Sequence, residues 1–223
     1  AGLDARFAAQ RSVRHFSPGA VGAQALADLL AVLSQGEVDG QPKFLYPSAG
    51  GLYPVQAYLF VKPERVDGVA AGGYYYDPRQ HRLVAVGGQR TLGADAYDYF
   101  VNRPIFEQAA FALFLVAELA AIQPLYGAQS MDLCHIEAGA MAQLLASTAV
   151  ERQLGLCGIG SVDLGQVAPL LELGPSHRLV YSMLGGIPAP GQAASGQVEV
   201  FTSRPQSVPA DANESAEMEE FKV

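Results

Sequence analysis

Tyr46-Pro47-Ser48-Ala49-Gly50-Gly51-Leu52-Tyr53-Pro54 runs directly into Val55-Gln56-Ala57-Tyr58-Leu59-Phe60-Val61. The second stretch is rich in β-branched and aromatic residues and partly alternates, so it reads as a strand over 55–61. The first packs two prolines, two glycines, a serine and two tyrosines into nine residues. Glycine lets a backbone approach a ligand closely and proline fixes its path. Tyrosine offers a flat apolar face with a polar tip. Such a segment suits the lining of a planar aromatic ligand. It equally suits a tight surface turn before a strand.

Outward from this segment the pattern is mixed α and β. Leu26, Leu29, Leu30 and Leu33 recur at helical spacing, which predicts an amphipathic helix over 22–33. Residues 73–77 and 82–86 read as two short strands joined by Pro78-Arg79-Gln80-His81. Residues 111–116 read as a second buried strand. Asp132 is an N-cap candidate for a long helix through Gln153, with Gly155 as its stop. Alanine, glycine and leucine lie on most faces of that helix, which makes it central and buried. Asp163 caps a further helix through Leu171, and residues 178–184 form a last strand ended by Gly185-Gly186. From Pro188 onward proline, glycine, alanine, serine and glutamine dominate, followed by Glu214, Glu217, Glu219 and Glu220. The expected division is a domain over 1–188 and a linker or loosely docked acidic tail over 189–223, with a small edge strand at 198–201 as the alternative.

Composition narrows the function classes. The chain has 223 residues, 50% hydrophobic and 16% charged, enough for a sizeable core. Its formal net charge is -8 with 14 basic residues and no basic patch, which argues against nucleic acid and anionic membranes as partners. The longest apolar run, residues 109–117, is too short to span a bilayer. The N-terminus lacks the basic-then-apolar pattern of a signal peptide. A start at Ala1 without methionine suits a segment of a longer polypeptide. Two cysteines, Cys134 and Cys157, are too few for a disulfide framework or a zinc site. Both sit in apolar surroundings, as buried thiols do, and a cytoplasmic, reducing compartment is expected.

Several groups of residues can carry chemistry. Arg11-Ser12-Val13-Arg14 offers two forked guanidiniums around a hydroxyl, a donor set for phosphate or a solvated surface pair. Leu154-Gly155-Leu156-Cys157-Gly158-Ile159-Gly160 reads as a glycine-rich turn after a helix. It is not the strand–GxGxxG–helix fingerprint, and neither a phosphate-binding GxxxxGK[ST] loop nor a GxSxG elbow is present. The four histidines, His15, His81, His135 and His177, lack metal-ligand spacing. Glu137 lies among apolar residues and is either a buried hydrogen-bonded carboxylate or a catalytic one. Tyr97, Tyr99, Asn102 and Arg103 cluster before Pro104, either as a loop packed by its aromatics or with Asn102 and Tyr99 on a substrate.

Arg11-Ser12-x-Arg14, Pro47-Ser48-Ala49-Gly50-Gly51-Leu52-Tyr53-Pro54, Glu137-Ala138-Gly139 and Gly155-Leu156-Cys157-Gly158-Ile159-Gly160 follow one another over about 180 residues. In this order they resemble the nitroreductase-like flavin enzymes. The Pro-Ser-Ala-Gly-x-Leu-Tyr-Pro segment looks like the azoline-dehydrogenase branch. More narrowly, Gly73-Tyr74-Tyr75-Tyr76-Asp77-Pro78, His81-Arg82-Leu83, Phe100-Val101-Asn102-Arg103-Pro104 and Leu125-Tyr126-Gly127 resemble the oxidase domains of nonribosomal peptide synthetases, of the thiazole-forming and indigoidine-synthetase types. The resemblance implies an α+β fold with a central, mostly antiparallel sheet flanked by helices. It also implies a homodimer with FMN at the dimer interface.

By the same resemblance, Arg11, Ser12 and Arg14 serve the ribityl phosphate. Pro47, Ser48, Ala49 and Gly50 line the isoalloxazine ring. Gly160 and Ser161 lie near the flavin N5 edge, Leu52 and Gly158 are further cofactor-binding positions, and Gln143 reaches the cofactor or the partner subunit. Three positions depart from the family pattern. Gln10 stands where a basic residue usually begins the phosphate motif. No Arg or Lys follows Gly185-Gly186-Ile187-Pro188 before Arg204, and Leu125 stands where standalone azoline dehydrogenases have lysine. Tyr126, Asn102 and Glu137 are then the candidates for proton handling, a phenol suiting donation better than abstraction at neutral pH.

The implied reaction is two-electron oxidation of a thiazoline or oxazoline to the aromatic azole, with O2 as acceptor. The substrate is a peptide intermediate tethered to a carrier protein, and neighbouring synthetase domains are partners. Oxidation of a cyclised glutamine, NAD(P)H-dependent nitro or quinone reduction, and a non-catalytic dimerisation or docking role are the alternatives.

Overall fold

The computed structural model describes residues 10–192, so all but the first four residues of the expected tail over 189–223, and the alternative edge strand at 198–201, lie outside the described residues. Six strands form one antiparallel sheet. In chain order they are β3 (Val55–Val61), β4 (Gly72–Asp77), β5 (Arg82–Val86), β6 (Phe111–Glu118), β7 (Gly155–Ile159) and β8 (His177–Gly186). Their order across the sheet is β5-β4-β3-β6-β8-β7. β1 (Gly36–Val38) and β2 (Gln41–Lys43) make a separate exposed hairpin.

The middle strand explains the layering. All but the last residue of β6 are buried, so both of its faces need cover. Phe111, Leu113, Leu115 and Ala117 pack with α1 (Ala23–Ala31) and with α4 (Ser130–Glu151) through Ala138, Met141 and Leu145. Ala112, Phe114 and Val116 pack with α2 (Arg103–Gln108) and α5 (Leu164–Leu170) on the opposite face. α3 (Leu119–Tyr126) leads through a short 3-10 turn into α4. Among the described residues no helix is long and apolar enough to cross a membrane.

The strands over 55–61 and 82–86 and the Asp163 cap form where the sequence predicts them, while the helix expected over 22–33 spans Ala23–Ala31 with Gly22 as its N-cap. Asp163 accepts a hydrogen bond from the Gly165 amide at 2.8 Å. Other expectations are corrected. Asp132 is not the N-cap of the long helix. The turn after α3 starts α4 at Ser130, so Asp132 lies inside the first turn, where its charge suits the helix dipole. That helix ends at Glu151, and Gly155 does not stop it but opens β7. The glycine-rich segment is therefore an edge strand rather than a turn. Its glycines answer close packing: a Cβ on Gly155 would stand 2.7 Å from the Val13 Cβ.

α2 begins at Arg103 because Pro104 fits the first helical turn, where a missing N–H costs nothing. Its C-terminal carbonyls are held by two cations. Lys62 donates to the Phe106 carbonyl and to Glu107 at 3.1 Å, and Arg65 donates to Gln108 at 2.7 Å. Burial pulls the Lys62 pKa down to about 8.

Candidate functional site

Val13 donates its backbone N–H to the Leu156 carbonyl at 2.9 Å, and Ser12 bridges Leu156 in parallel register. The Arg11–Arg14 segment thus lies along the open edge of β7, a placement that needs the missing side chain of Gly155. This edge brings two of the expected site segments together. Arg11 and Ser12, with Gly139, Ala142 and Gln143 of α4 and Gly158 of β7, line a cleft of about 580 Å³. A second cleft of about 340 Å³ adjoins it at Gly158 and Tyr181 and is lined by the Gly160-Ser161 backbone.

The donors differ in their engagement. Arg11 Nε donates to the Gln192 carbonyl at 2.9 Å, which fixes the guanidinium at the cleft wall. Gln143 pairs with Gln10 through reciprocal amide hydrogen bonds of 3.1 and 3.2 Å and donates to Ser147 at 3.1 Å. Gln10 is thus a neutral partner for the α4 face. Arg14 is exposed and does not line the cleft with Arg11 and Ser12. Its charge lies close enough to favour the Cys157 thiolate, but burial outweighs it and pushes that thiol up.

The Pro47–Leu52 segment is shaped by its own hydrogen bonds. Ser48 Oγ accepts from the Tyr53 amide at 2.8 Å, and the Ser48 carbonyl accepts from the Gly51 amide at 3.1 Å. Gly50 has φ 61°, a left-handed conformation that glycine adopts without strain. An added Cβ there would stand 2.9 Å from the Tyr126 hydroxyl. Tyr126, the leading proton-handling candidate, therefore lies against the loop expected to line a flavin ring. Leu52 and Gly51 border a third cleft of about 640 Å³, walled by Tyr46, Tyr53, Tyr75 and Tyr76. This cleft shares no lining residue with the Arg11 cleft.

Glu137 sits beneath the loop. It is 2% exposed, accepts the Val55 amide at 3.1 Å and takes a hydrogen bond from the Ser48 side chain. Burial pushes its pKa up to about 7, against the opposing pull of those two hydrogen bonds. It tethers the loop to α4 rather than lining either cleft around Gly158. Asn102 comes to the other side of the site, where its amide donates to the Ser161 carbonyl at 3.4 Å. Apart from Arg14, which lines neither, the expected site residues thus fall into two groups on one chain. Arg11, Ser12, Gln143, Gly158, Gly160, Ser161 and Asn102 surround the joined clefts, while Pro47, Ser48, Ala49, Gly50, Leu52, Tyr126 and Glu137 form the loop platform.

Tyr181, which lines both joined clefts, was not singled out by the sequence. It lies in a strand-like run and carries no motif, so no local signal marks it. The donor chemistry of the joined clefts fits an elongated anionic ligand. A guanidinium and a hydroxyl stand at one end, small α4 residues form the floor, and Gly160 and Ser161 lie at the other end.

The indigoidine synthases of Dickeya dadantii (strain 3937) and Streptomyces lavendulae are each 29% identical, over 124 and 103 residues, 55% and 46% of this chain. The matched part is only 7% of the length of either relative. A nitroreductase structure from Ralstonia eutropha JMP134 superposes with a TM-score of 0.70 at 23% identity, covering 85% of this chain and 84% of that one. The Escherichia coli microcin synthetase McbBCD complex, solved with truncated pro-MccB17, gives 0.67 at 20% identity over 80% and 68%. A Desulfovibrio desulfuricans nitroreductase solved with FMN gives 0.54 at 18% identity over 87% and 90%. The sequence model of the Nitroreductase family matches residues 8–187, and the chain belongs to that family.

Proposed function

We propose that this chain is an FMN-dependent oxidoreductase, the oxidase domain of a peptide synthetase. The observation that carries the reading is the joining of Arg11, Ser12 and the Gly158–Ser161 backbone around one pair of clefts. Arg11 and Ser12 would hold the phosphate of the cofactor, and the Gly160-Ser161 backbone would meet the ring edge. The chemistry that FMN supplies when bound is acceptance of two electrons, with O2 as the final acceptor.

The loop platform belongs to the same reading through a homodimer. Gly51 and Leu52 border a cleft separate from that of Arg11, so one copy would lend its loop to the other copy's cofactor. Exposed Leu52, Leu125 and Ile136 support such an interface, since large apolar side chains left in water favour burial by a partner.

The substrate is a thiazoline or oxazoline ring held on a carrier protein, oxidised to thiazole or oxazole. The similarity to indigoidine synthases and to a microcin synthetase complex supports synthetase partners. Tyr126 handles the proton, its hydroxyl standing over Gly50. Asn102 orients the substrate from the Ser161 side. Glu137 is enclosed by Ser48 and Val55 and is reassigned here as the group that positions the loop. Both cysteines are free and buried, which suits a reducing, cytoplasmic setting. Residues 1–188 form the oxidase domain and 189–223 its linker or tail. A second reading, oxidation of a cyclised glutamine, is favoured by the indigoidine synthases among the relatives.

The test offers carrier-bound thiazoline and cyclised glutamine separately to the flavin-loaded protein and follows loss of two hydrogens by mass. Turnover of thiazoline alone supports the first reading, and turnover of glutamine alone supports the second. Turnover of neither contradicts both. Tyr126→Phe is expected to abolish most turnover while flavin stays bound. Unchanged turnover would remove Tyr126 from its role.

A further inference from the structure

β8 carries an irregularity beside the joined clefts. Leu115 of β6 pairs with Tyr181, but the next residue, Val116, pairs with Leu179, so Val180 is an extra residue on β8. A bulge of this kind re-aims side chains by breaking the strict alternation of a strand. The packing agrees. Leu179 joins the core on the α2 and α5 face, whereas Val180 and Met183 join the core on the α4 face. Tyr181, two residues from Met183, faces α4 as well. Two consecutive side chains thus point toward the clefts where a regular strand would send one.

The ring of Tyr181 lies across Gly158. A Cβ on Gly158 would stand 2.2 Å from the Tyr181 hydroxyl oxygen and 3.1 Å from its ring carbon Cζ. Glycine at 158 is therefore what lets the phenol occupy the seam. Tyr181 is 40% exposed and lines both clefts. Its hydroxyl has no hydrogen-bond partner among the described residues. A bulge, a glycine and an unpartnered hydroxyl converge on one point, the seam between the Arg11–Ser12 end and the Gly160–Ser161 end.

We propose, resting on the reading of these clefts as the FMN site, that Tyr181 is a positioning residue for the polyol chain between the phosphate and the ring of the flavin. An anionic head at Arg11 and a flat ring at Ser161 leave neutral hydroxyls at the seam. A phenol both donates and accepts, which matches an alcohol. Tyr181 touches no reacting atom and acts by fixing how deep the ring sits.

The test measures FMN affinity from quenching of flavin fluorescence, at low and high ionic strength, for the natural protein, Tyr181→Phe and Arg11→Gln. Tyr181→Phe removes one oxygen from a part-exposed ring, and its melting curve reports whether the fold is kept. The expected result is a loss of roughly 3- to 10-fold in affinity, the worth of one neutral hydrogen bond, equal at both ionic strengths. Arg11→Gln weakens binding more at low salt than at high salt, because salt screens a phosphate contact. Gly158→Ala weakens binding in the natural background and less in the Tyr181→Phe background, where the clashing oxygen is gone. Natural affinity in Tyr181→Phe overturns the proposal, as does a weakening that disappears at high salt. Absence of FMN binding by the natural protein overturns the flavin reading itself, a separate and earlier failure.

Discussion

Glu137→Gln isolates the group that ties the loop platform to α4. In the natural protein the carboxyl is 2% exposed, and burial raises its pKa from 4.5 to about 7. For an acid with a raised folded-state pKa, the folded state holds its proton more tightly than the unfolded chain does. The stability that this proton brings is present below about pH 4.5 and is lost as pH climbs through about 7. At 1.36 kcal/mol for each step of pKa, the span corresponds to ~3 kcal/mol. Glutamine keeps a carbonyl to accept the Val55 amide, now at 3.1 Å from Glu137, and does not titrate. Urea unfolding of both proteins at about pH 5 and about pH 8 reads the difference, with all other titrations shared. The stability of Glu137→Gln relative to the natural protein is expected to rise by ~2–3 kcal/mol between the two pH values. Parallel profiles, within ~0.5 kcal/mol, would refute the reasoning.

Gly50→Ala places a side chain at φ 61° and 2.9 Å from the Tyr126 hydroxyl. Melting should show a loss of ~1–2 kcal/mol for the left-handed residue, and turnover should fall further than Kd for FMN changes, because Tyr126 is displaced. Gly155→Ala drives a Cβ to within 2.7 Å of the buried Val13. The overpacking should cost ~1–3 kcal/mol and weaken FMN binding by moving Arg11 and Ser12 off β7; an unchanged melting temperature would contradict that packing. Asp163→Ala removes the cap of α5, whose carboxylate accepts the Gly165 amide at 2.8 Å. Its expected effect is a loss of ~1 kcal/mol in unfolding with FMN affinity unchanged.

The sequence reveals this fold where one physical rule acts alone. Val55–Val61 and Arg82–Val86 are legible because their apolar and β-branched residues are bounded by prolines and turn residues. Ala23–Ala31 is legible because its leucines keep helical spacing. Legibility fails where tertiary contacts override local preference. Gly155–Ile159 reads as a turn because glycine weakens strands, but Val13 and Tyr181 occupy the space its side chains would need. Leu119–Tyr126 is hidden by Pro124 inside it. The Gly36–Val38 and Gln41–Lys43 hairpin has a fair signal, Asp39-Gly40, both at positive φ, but its strands are exposed throughout and show no apolar alternation.

The motifs of the candidate site stand out in the sequence, and their grouping does not. The resemblance assigns the segments from Arg11 to Ser161 to a cofactor at a dimer interface, without saying which of them share a cleft on one chain. The chain divides them between a β7-side cleft and a loop platform. Glu137 illustrates the limit. Its apolar neighbours announce burial, but only the Ser48 and Val55 contacts identify the carboxylate as a tether. Tyr181 depends on a bulge between paired strands, which no local pattern in β8 encodes.

The central claim is that the joined clefts hold FMN. The most direct measurement is the visible absorption spectrum of the purified protein, with the released chromophore identified by mass. The account predicts a flavin spectrum with one FMN per chain, or its recovery when FMN is added. A protein that stays colourless after incubation with FMN would contradict it.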